Sequence, residues 1–215
     1  MSVTLNNSSS DGTKSLLDMV CYCARVSNPT NQANTSANDK LIGYLIKNQH
    51  WSPFEMVSIC LEIETTRDIA RQMLRHRSFS FQEFSQRYAV VDSYQTKKAR
   101  IQDMKNRQNS IENDNPDLDD EWQNKQIELA ETAFSTYKWA LEKGIAKEQA
   151  RAVLPEGMTN SRMYMNGTLR SWIHYIQLRS GNGTQKEHQA VALACAEAIE
   201  PIFPMIREFI QNTDL

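Results

Sequence analysis

Apolar residues recur along the chain at two spacings, and the spacing separates expected helices from expected strands. Helical spacing predicts helices over about 13–26, 36–48, 66–74, 118–143, 147–154, 168–178 and from 184 onward. Alternation predicts a half-buried strand over 54–64. The residues of this strand that face one side are Val57, Ile59, Leu61 and Ile63. A weaker strand pattern covers 158–166.

Polar residues fill the segment 92–116, which contains a cluster of asparagine and aspartate. Its composition predicts a long loop or a mobile insertion. Many helices with a few separated strands predict a mixed α and β (α/β) class, in which a small sheet is flanked by long helices. The length of 215 residues favours a single domain over 1–215.

Composition narrows the class of protein. Hydrophobic residues make up 40% and charged residues 23% of the chain, as in ordinary globular proteins. No apolar run reaches the roughly 18 residues of a membrane-spanning helix, and the polar segment 1–15 is no secretory signal. A cytoplasmic protein is expected. The four cysteines lack the spacing of a disulfide framework or of a metal knuckle, so we expect reduced thiols and no metal.

Positive charge is concentrated in two windows, although the net charge is −2. The window 67–87 contains five arginines and two acidic residues. The window 151–179 contains four arginines and one acidic residue. Two basic windows in an acidic protein predict a local anionic ligand, because a nucleic-acid surface more often makes the whole domain basic.

The first window crowds several guanidinium groups together around Arg75 and Arg77. Like charges repel at this range unless an anion binds between them, and the planar fork of arginine suits phosphate oxygens and carbonyl edges. The alternative is a solvated face joined by Arg–Glu pairs. Interleaved Phe79, Phe81 and Phe84 argue against it, because they indicate a half-buried segment.

The order Arg75-His76-Arg77, seven residues, Ser85 and then Arg87 resembles the signature of flavin-dependent thymidylate synthases. Other segments resemble the family in the same order and at similar spacing: Cys21-Tyr22-x-Ala24-Arg25, His50-x-Ser52-Pro53-Phe54-Glu55, Ala150-Arg151-x-Val153-Leu154-Pro155, Leu169-Arg170-Ser171, Leu178-Arg179 and Gln185-x-Glu187. The resemblance therefore spans most of the chain.

This resemblance implies a set of ligand-binding residues. The implied dUMP-binding residues are Gln72, Arg75, Glu83, Ser85, Gln86, Arg87, Arg151 and Arg179. The implied FAD-binding residues are Ser52, Arg75, His76, Arg77, Glu83, Thr168, Arg170 and His174. Arg179 is the implied catalytic residue, placed beside the pyrimidine N3, where a cation stabilises the ionised uracil. Ser85 is assigned to binding, because a hydroxyl with no adjacent base is a poor nucleophile.

The resemblance also implies the reaction and the assembly. FAD-dependent reductive methylation would convert dUMP to dTMP, with methylenetetrahydrofolate as carbon donor and NADPH as reductant. A homotetramer with shared active sites is implied, and Arg170 and Arg179, about half a turn apart on an ideal helix, are hard to direct into one pocket. The chain departs from the family at Gly183, often a histidine, and at Thr168, commonly asparagine. His50 and Glu55 match a neighbouring pair of the family, and the alternative for His50 is a histidine satisfied at a helix C-terminus.

Three other classes of function are considered. The unrelated folate-only thymidylate synthase uses a cysteine that follows a proline, and no cysteine here does so. A nucleic-acid or nucleotide-binding module would use Phe79, Phe81 and Tyr88 as stacking platforms. A structural helical oligomer would bind no ligand. A yellow purified protein would favour the flavin enzyme over all three.

Overall fold

The computed structural model describes residues 1–211. Its strands are β1 (Ser2–Ser8), β2 (Ser58–Thr66), β3 (Phe79–Glu83), β4 (Arg100–Gln102), β5 (Ser110–Glu112) and β6 (Asn160–Thr168). Its α-helices are α1 (Leu16–Ala24), α2 (Asn38–Lys47), α3 (Arg67–Met73), α4 (Pro116–Glu142), α5 (Lys147–Ala150), α6 (Leu169–Arg179) and α7 (Lys186–Ile199). The predicted mixed α and β class is confirmed, as is the small sheet with its helices.

Four antiparallel strands form the main sheet in the order β1-β2-β6-β3. The predicted alternation in β2 is confirmed, because Ile59, Leu61 and Ile63 are all fully buried. Opposite them in β6 stand Gly167, Met165 and Met163, on the same face of the sheet. Helices α6 and α7 cover this face, and the indole N–H of Trp172 in α6 donates to the carbonyl of Ile59 at 3.0 Å.

Within the main sheet, the boundaries of β2 and the existence of two other strands differ from the prediction. Phe54 lies in a 3₁₀ turn, Ser52–Glu55, and the strand begins only at Ser58. Strand β1 was not predicted, because a register shift between Leu5 and Asn7 interrupts its alternation. Strand β3 was not predicted as a strand either, since it is short and stands among charged residues.

Helix α4 builds a second, smaller core beside the sheet. Its side chains Phe134, Tyr137 and Ala140 are buried against Val91 and Ala150. The side chain of Asn115 caps the helix by accepting from the backbone N–H groups of residues 117 and 118. No helix within residues 1–211 is long and apolar enough to cross a bilayer.

The segment 92–116 carries a β4–β5 hairpin and is therefore more regular than the predicted loop. Its base is tied to α4. The amide N–H of Lys97 donates to Gln126 Oε1 at 2.9 Å, and Gln126 Nε2 donates back to the Lys97 carbonyl at 2.8 Å. The N–H of Ala99 donates to Asp119 Oδ1 at 2.6 Å. The tip, 103–109, bonds mainly to itself, for example from the Lys105 N–H to Asp103 Oδ1 at 2.7 Å.

Candidate active site

The turn between α3 and β3 presents the central arginines of the first window. Helix α3 buries Ile69, Ala70 and Met73, and this face anchors the turn that follows. Arg75 and Arg77 are exposed, and neither forms an ion pair with a carboxylate within residues 1–211. These two guanidinium groups are therefore available to an anion.

The alternative of Arg–Glu pairing holds for other arginines of the windows. Arg67 pairs with Glu83 at 3.2 Å, and Arg87 pairs with Glu148 at 3.3 Å. Arg71 pairs with the exposed Glu156. The Arg71 and Arg87 pairs are exposed, and such pairs contribute little to stability, whereas the Arg67–Glu83 pair is partly buried. Ion pairing therefore does not account by itself for the clustering of arginines.

A hydrogen bond between Arg179 and His76 joins the two arginine-rich windows. Arg179 Nε, in the last turn of α6, donates to His76 Nε2 at 2.9 Å. Burial, with the charges of Arg179 and His174, lowers the pKa of His76 to about 4. The imidazole is therefore neutral at pH 7, which leaves Nε2 free to accept. The Tyr175 ring packs edgewise on it, with ring centroids 5.0 Å apart.

Gln72 lies in a buried chain of hydrogen bonds that begins at the same tyrosine. The Tyr175 hydroxyl is 3.0 Å from His188 Nε2, and His188 Nδ1 is 3.1 Å from Gln72 Oε1. Gln72 Nε2 donates to Gln185 Oε1 at 2.7 Å. His188 is fully buried, and burial together with Arg179 and His76 lowers its pKa to about 3.

This series of hydrogen bonds, the polar chain, continues through Gln185 to an ion pair at the hairpin. Gln185 Nε2 donates to Glu187 Oε2 at 2.9 Å, and Arg100 of β4 pairs with the other carboxylate oxygen. Partial burial raises the pKa of Glu187, but hydrogen bonds from Arg100 and Gln185 outweigh it, so that the net shift is downward. Glu187 is therefore ionised at neutral pH.

A second group of predicted residues surrounds the N-terminus of α6. The Thr168 hydroxyl caps the helix by accepting from the Ser171 N–H at 3.2 Å. Arg170 pairs with Glu55, whose 3₁₀ turn also carries the exposed Ser52. Arg170 and Arg179 thus contact different partners at opposite ends of α6, as their spacing suggested. Exposed His174 lies between them.

His50, next to this group in sequence, is exposed just beyond the C-terminus of α2. Its ring packs edgewise on Tyr44, with centroids 5.8 Å apart. His50 therefore lies near a helix end, and its role stays a prediction.

A third group follows β3. Ser85 and Arg87 are exposed and border a cavity of about 390 Å³ that is also lined by Lys147 and Glu148. Arg151 is close by, since its Nε donates to the Glu148 carbonyl at 3.4 Å. This group gathers cations and hydroxyls in the way that a phosphate requires.

Glu83 and Gln86 lie deeper than the cavity. Glu83 Oε1 accepts from Arg67 at 3.2 Å and from the Ser161 hydroxyl at 2.7 Å. The amide nitrogen of Gln86 is buried and has no acceptor among residues 1–211. A buried donor without an acceptor is rare in folded proteins, so this nitrogen is suited to an oxygen of a ligand.

Three of the four cysteines are not activated as nucleophiles. All four are free. Burial raises the pKa of Cys21 to about 11 and also raises that of Cys60 and of the fully buried Cys195, so these groups stay protonated thiols. Within residues 1–211 no group of three His, Cys, Asp or Glu side chains is placed to hold a metal ion.

Five residues of the polar chain were not among the predicted site residues: Tyr175, His188, Gln185, Glu187 and Arg100, although Gln185 and Glu187 lie in a segment that resembles the family. His188 directly follows the segment Gln185-x-Glu187, and its polar side chain on an otherwise apolar helix face was the available signal. Arg100 stands in the hairpin segment, for which the sequence offers no motif.

The chain is similar to known proteins of one family over most of its length. Residues 11–205 match the family described as Thymidylate synthase complementing protein. A protein of Synechocystis sp. named flavin-dependent thymidylate synthase is 50% identical over 189 residues, covering 87% of this chain and 86% of that protein. A protein of Paramecium bursaria Chlorella virus 1, named as a probable flavin-dependent thymidylate synthase, is 49% identical over 197 residues, covering 91% of each chain.

A solved structure is similar over almost the whole chain. The crystal structure of a UMP/dUMP methylase from Streptomyces cacaoi bound with 5-Br dUMP superposes with a TM-score of 0.82. The sequence identity is 29%, and the match covers 97% of this chain and 93% of that one.

Proposed function

The chain belongs to the thymidylate synthase complementing protein family, and from this premise we propose that it is a flavin-dependent thymidylate synthase that methylates dUMP to dTMP. The observation that carries the proposal is the 2.9 Å hydrogen bond from Arg179 to His76. It brings together two arginine-rich windows about 100 residues apart in sequence, at a place where Arg75 and Arg77 are exposed. Clustered guanidinium groups favour a bound anion.

The dUMP site would use the residues that follow β3 together with residues of α3 and of the turn between α3 and β3. Ser85, Arg87 and Arg151 would hold the phosphate, and the unsatisfied amide nitrogen of Gln86 would donate to a ligand oxygen. Gln72, Arg75 and Glu83 would complete the binding of the nucleotide.

Arg179 would serve as the catalytic residue at the pyrimidine. Its Nε is already bonded to His76, so the two terminal nitrogens remain to face the ring beside N3. A permanent cation there stabilises negative charge on the uracil and makes C5 more nucleophilic.

The residues present fit FAD. Arg75 and Arg77, exposed and free of carboxylate partners within residues 1–211, would contact the flavin and its phosphates together with His76. The N-terminal end of α6 adds the positive end of a helix dipole, near Ser52, Thr168, Arg170 and His174. When bound, FAD would supply the hydride that reduces the transferred one-carbon unit.

The carbon donor, the reductant and the assembly are further parts of the proposal. Methylenetetrahydrofolate would donate the carbon, and NADPH would reduce FAD. A homotetramer would complete each site with residues of several subunits, since Arg170 and Arg179 contact different partners at opposite ends of one helix. Light scattering coupled to an activity assay tests this assembly, and a monomer with full activity would refute it.

Absorption and product analysis test the function. The purified protein mixed with FAD should absorb at about 450 nm and remain coloured after gel filtration. Given dUMP, methylenetetrahydrofolate and NADPH, it should form dTMP detectable by mass spectrometry, and omission of any one reagent should abolish product. A colourless protein that binds neither FAD nor dUMP would overturn the proposal.

A further inference from the structure

The polar chain behind Gln72 has a single direction of hydrogen bonding. It runs from the Tyr175 hydroxyl through His188, Gln72 and Gln185 to Glu187, over four contacts of 2.7–3.1 Å. Tyr175 and His188 are fully buried, and the other three side chains are partly buried. In such surroundings a reversed amide leaves a buried donor or acceptor unpaired.

The direction is set at the carboxylate end. Glu187 is ionised and accepts only, so Gln185 must present its amide N–H to it and therefore its oxygen to Gln72. Gln72 must then present its own N–H to Gln185 and its oxygen to His188.

The tyrosine end adapts to this direction. His188 is neutral and must carry its proton on Nδ1, so that Nε2 accepts from the Tyr175 hydroxyl. A tyrosine hydroxyl can either donate or accept, so this end alone would tolerate both directions.

We propose that Glu187, held by Arg100 of the hairpin, is a positioning residue that orients the Gln72 carboxamide toward dUMP through Gln185. The inference rests on the proposed function, because it assumes that Gln72 contacts the nucleotide. In the set orientation Gln72 keeps one N–H and one oxygen lone pair for the ligand, each in a defined place. Reversal of the Gln72 amide would exchange the positions of its free N–H and its oxygen, so that neither would face a matching group of the nucleotide.

The test is the neutral, nearly isosteric variant Glu187→Gln in the full, FAD-loaded enzyme. A glutamine can donate as well as accept, and with its oxygen on Arg100 its N–H group faces Gln185, so the reversed direction of the chain becomes available. We expect the Kd for dUMP, measured by calorimetry, to rise about two- to tenfold, the range of one neutral hydrogen bond. Loss of a negative charge acts in the opposite sense, because by Coulomb's law alone it would tighten binding of an anionic nucleotide.

The protonation site of His188 gives a second measurement. In enzyme labelled with ¹⁵N-histidine, the wild-type His188 ring should show a proton on Nδ1 only, and Glu187→Gln should show a mixture of tautomers. Glu197→Gln is the matched control, since it makes the same charge change at an exposed position of the same helix. It should leave both the Kd and the tautomer unchanged.

Several outcomes would overturn the inference. Equal or tighter dUMP binding by Glu187→Gln would do so, and so would weaker binding with His188 still protonated on Nδ1 alone. If that variant does not fold, Gln185→Met breaks the same chain, and wild-type affinity with a single tautomer in that variant would also refute it. A wild-type enzyme that does not bind dUMP would instead refute the proposed function.

Discussion

Replacing Gly167 with alanine should force apart the two strands that meet at the candidate site. A Cβ atom at this position would lie 2.4 Å from Cδ1 and 2.6 Å from Cε1 of Phe79. The Phe79 ring cannot simply swing away, because it packs on Trp172 with centroids 4.8 Å apart and on Tyr175 with centroids 5.9 Å apart. Gly167 also stands between Ile59 and Phe79 in the sheet, so the strands on both sides restrain its backbone.

Overpacking of this kind costs about 1–3 kcal/mol of unfolding free energy. For a chain of this length each kcal/mol lowers Tm by roughly 2–4 °C, so we expect a decrease of about 2–12 °C. Calorimetry at one fixed protein concentration measures it. Because Phe79 also packs edgewise on His76, with centroids 6.5 Å apart, dUMP affinity should fall in the same variant.

Two further variants separate overpacking from a loss of glycine flexibility. Gly157→Ala meets no atom within 4 Å and should change Tm little. Phe79→Leu combined with Gly167→Ala should recover part of the loss, a non-additivity that a double-mutant cycle measures. If Gly167→Ala alone has the same Tm as the wild type, the close approach of Phe79 does not constrain this sheet.

Three other perturbations follow from the site. Arg179→Ala should reduce turnover by at least tenfold and leave the circular dichroism spectrum unchanged, because the variant loses the cation that we propose for the pyrimidine but no core contact; near-normal activity would contradict the proposed catalytic role. Ser85→Ala should raise the Kd for dUMP several-fold and retain activity, since the hydroxyl is exposed and is not hydrogen-bonded to a carboxylate or histidine within residues 1–211; complete loss of turnover with normal affinity would indicate a nucleophile. Folding lowers the pKa of His76 from 6.5 to about 4 and that of His188 from 6.5 to about 3. Between the folded and the unfolded pKa of each histidine, the unfolded protein therefore binds more protons than the folded one. Their contribution to stability is complete above about pH 6.5 and is lost as the pH falls toward 4 and then 3, and a urea midpoint that does not decrease on acidification would argue against this.

The sheet could be predicted only where a strand is buried on one regular face. Ile59, Leu61 and Ile63 alternate without interruption, and β2 was recognised from them. Strand β1 lies at the sheet edge with only two half-buried apolar side chains, Val3 and Leu5, and a register shift after them, so its pattern is weak. Strand β3 owes its pairing to Gly167 and its neighbours in β6, about 85 residues further along the chain, which no local pattern reveals.

The sequence likewise reveals some residues of the site and not others. Clustered arginines are visible in the sequence, because nearby acidic residues compensate only part of their charge, and the family resemblance gives them roles. Gln72 could be named as a binding residue, but its partners His188 and Gln185 lie more than 100 residues away. Tyr175 and His188 occupy the apolar faces of their helices, where such residues are usually taken for core.

The attachment of the β4–β5 hairpin has a consequence for how this protein can diverge. The base is held by Gln126 and Asp119 of α4, and Arg100 pairs with Glu187, whereas the tip, 103–109, bonds mainly to itself. Residues added or removed at the tip would therefore leave the anchoring contacts in place. Relatives could vary in length at this point without loss of activity, and the tip is a suitable position for an epitope tag or a fluorescent label.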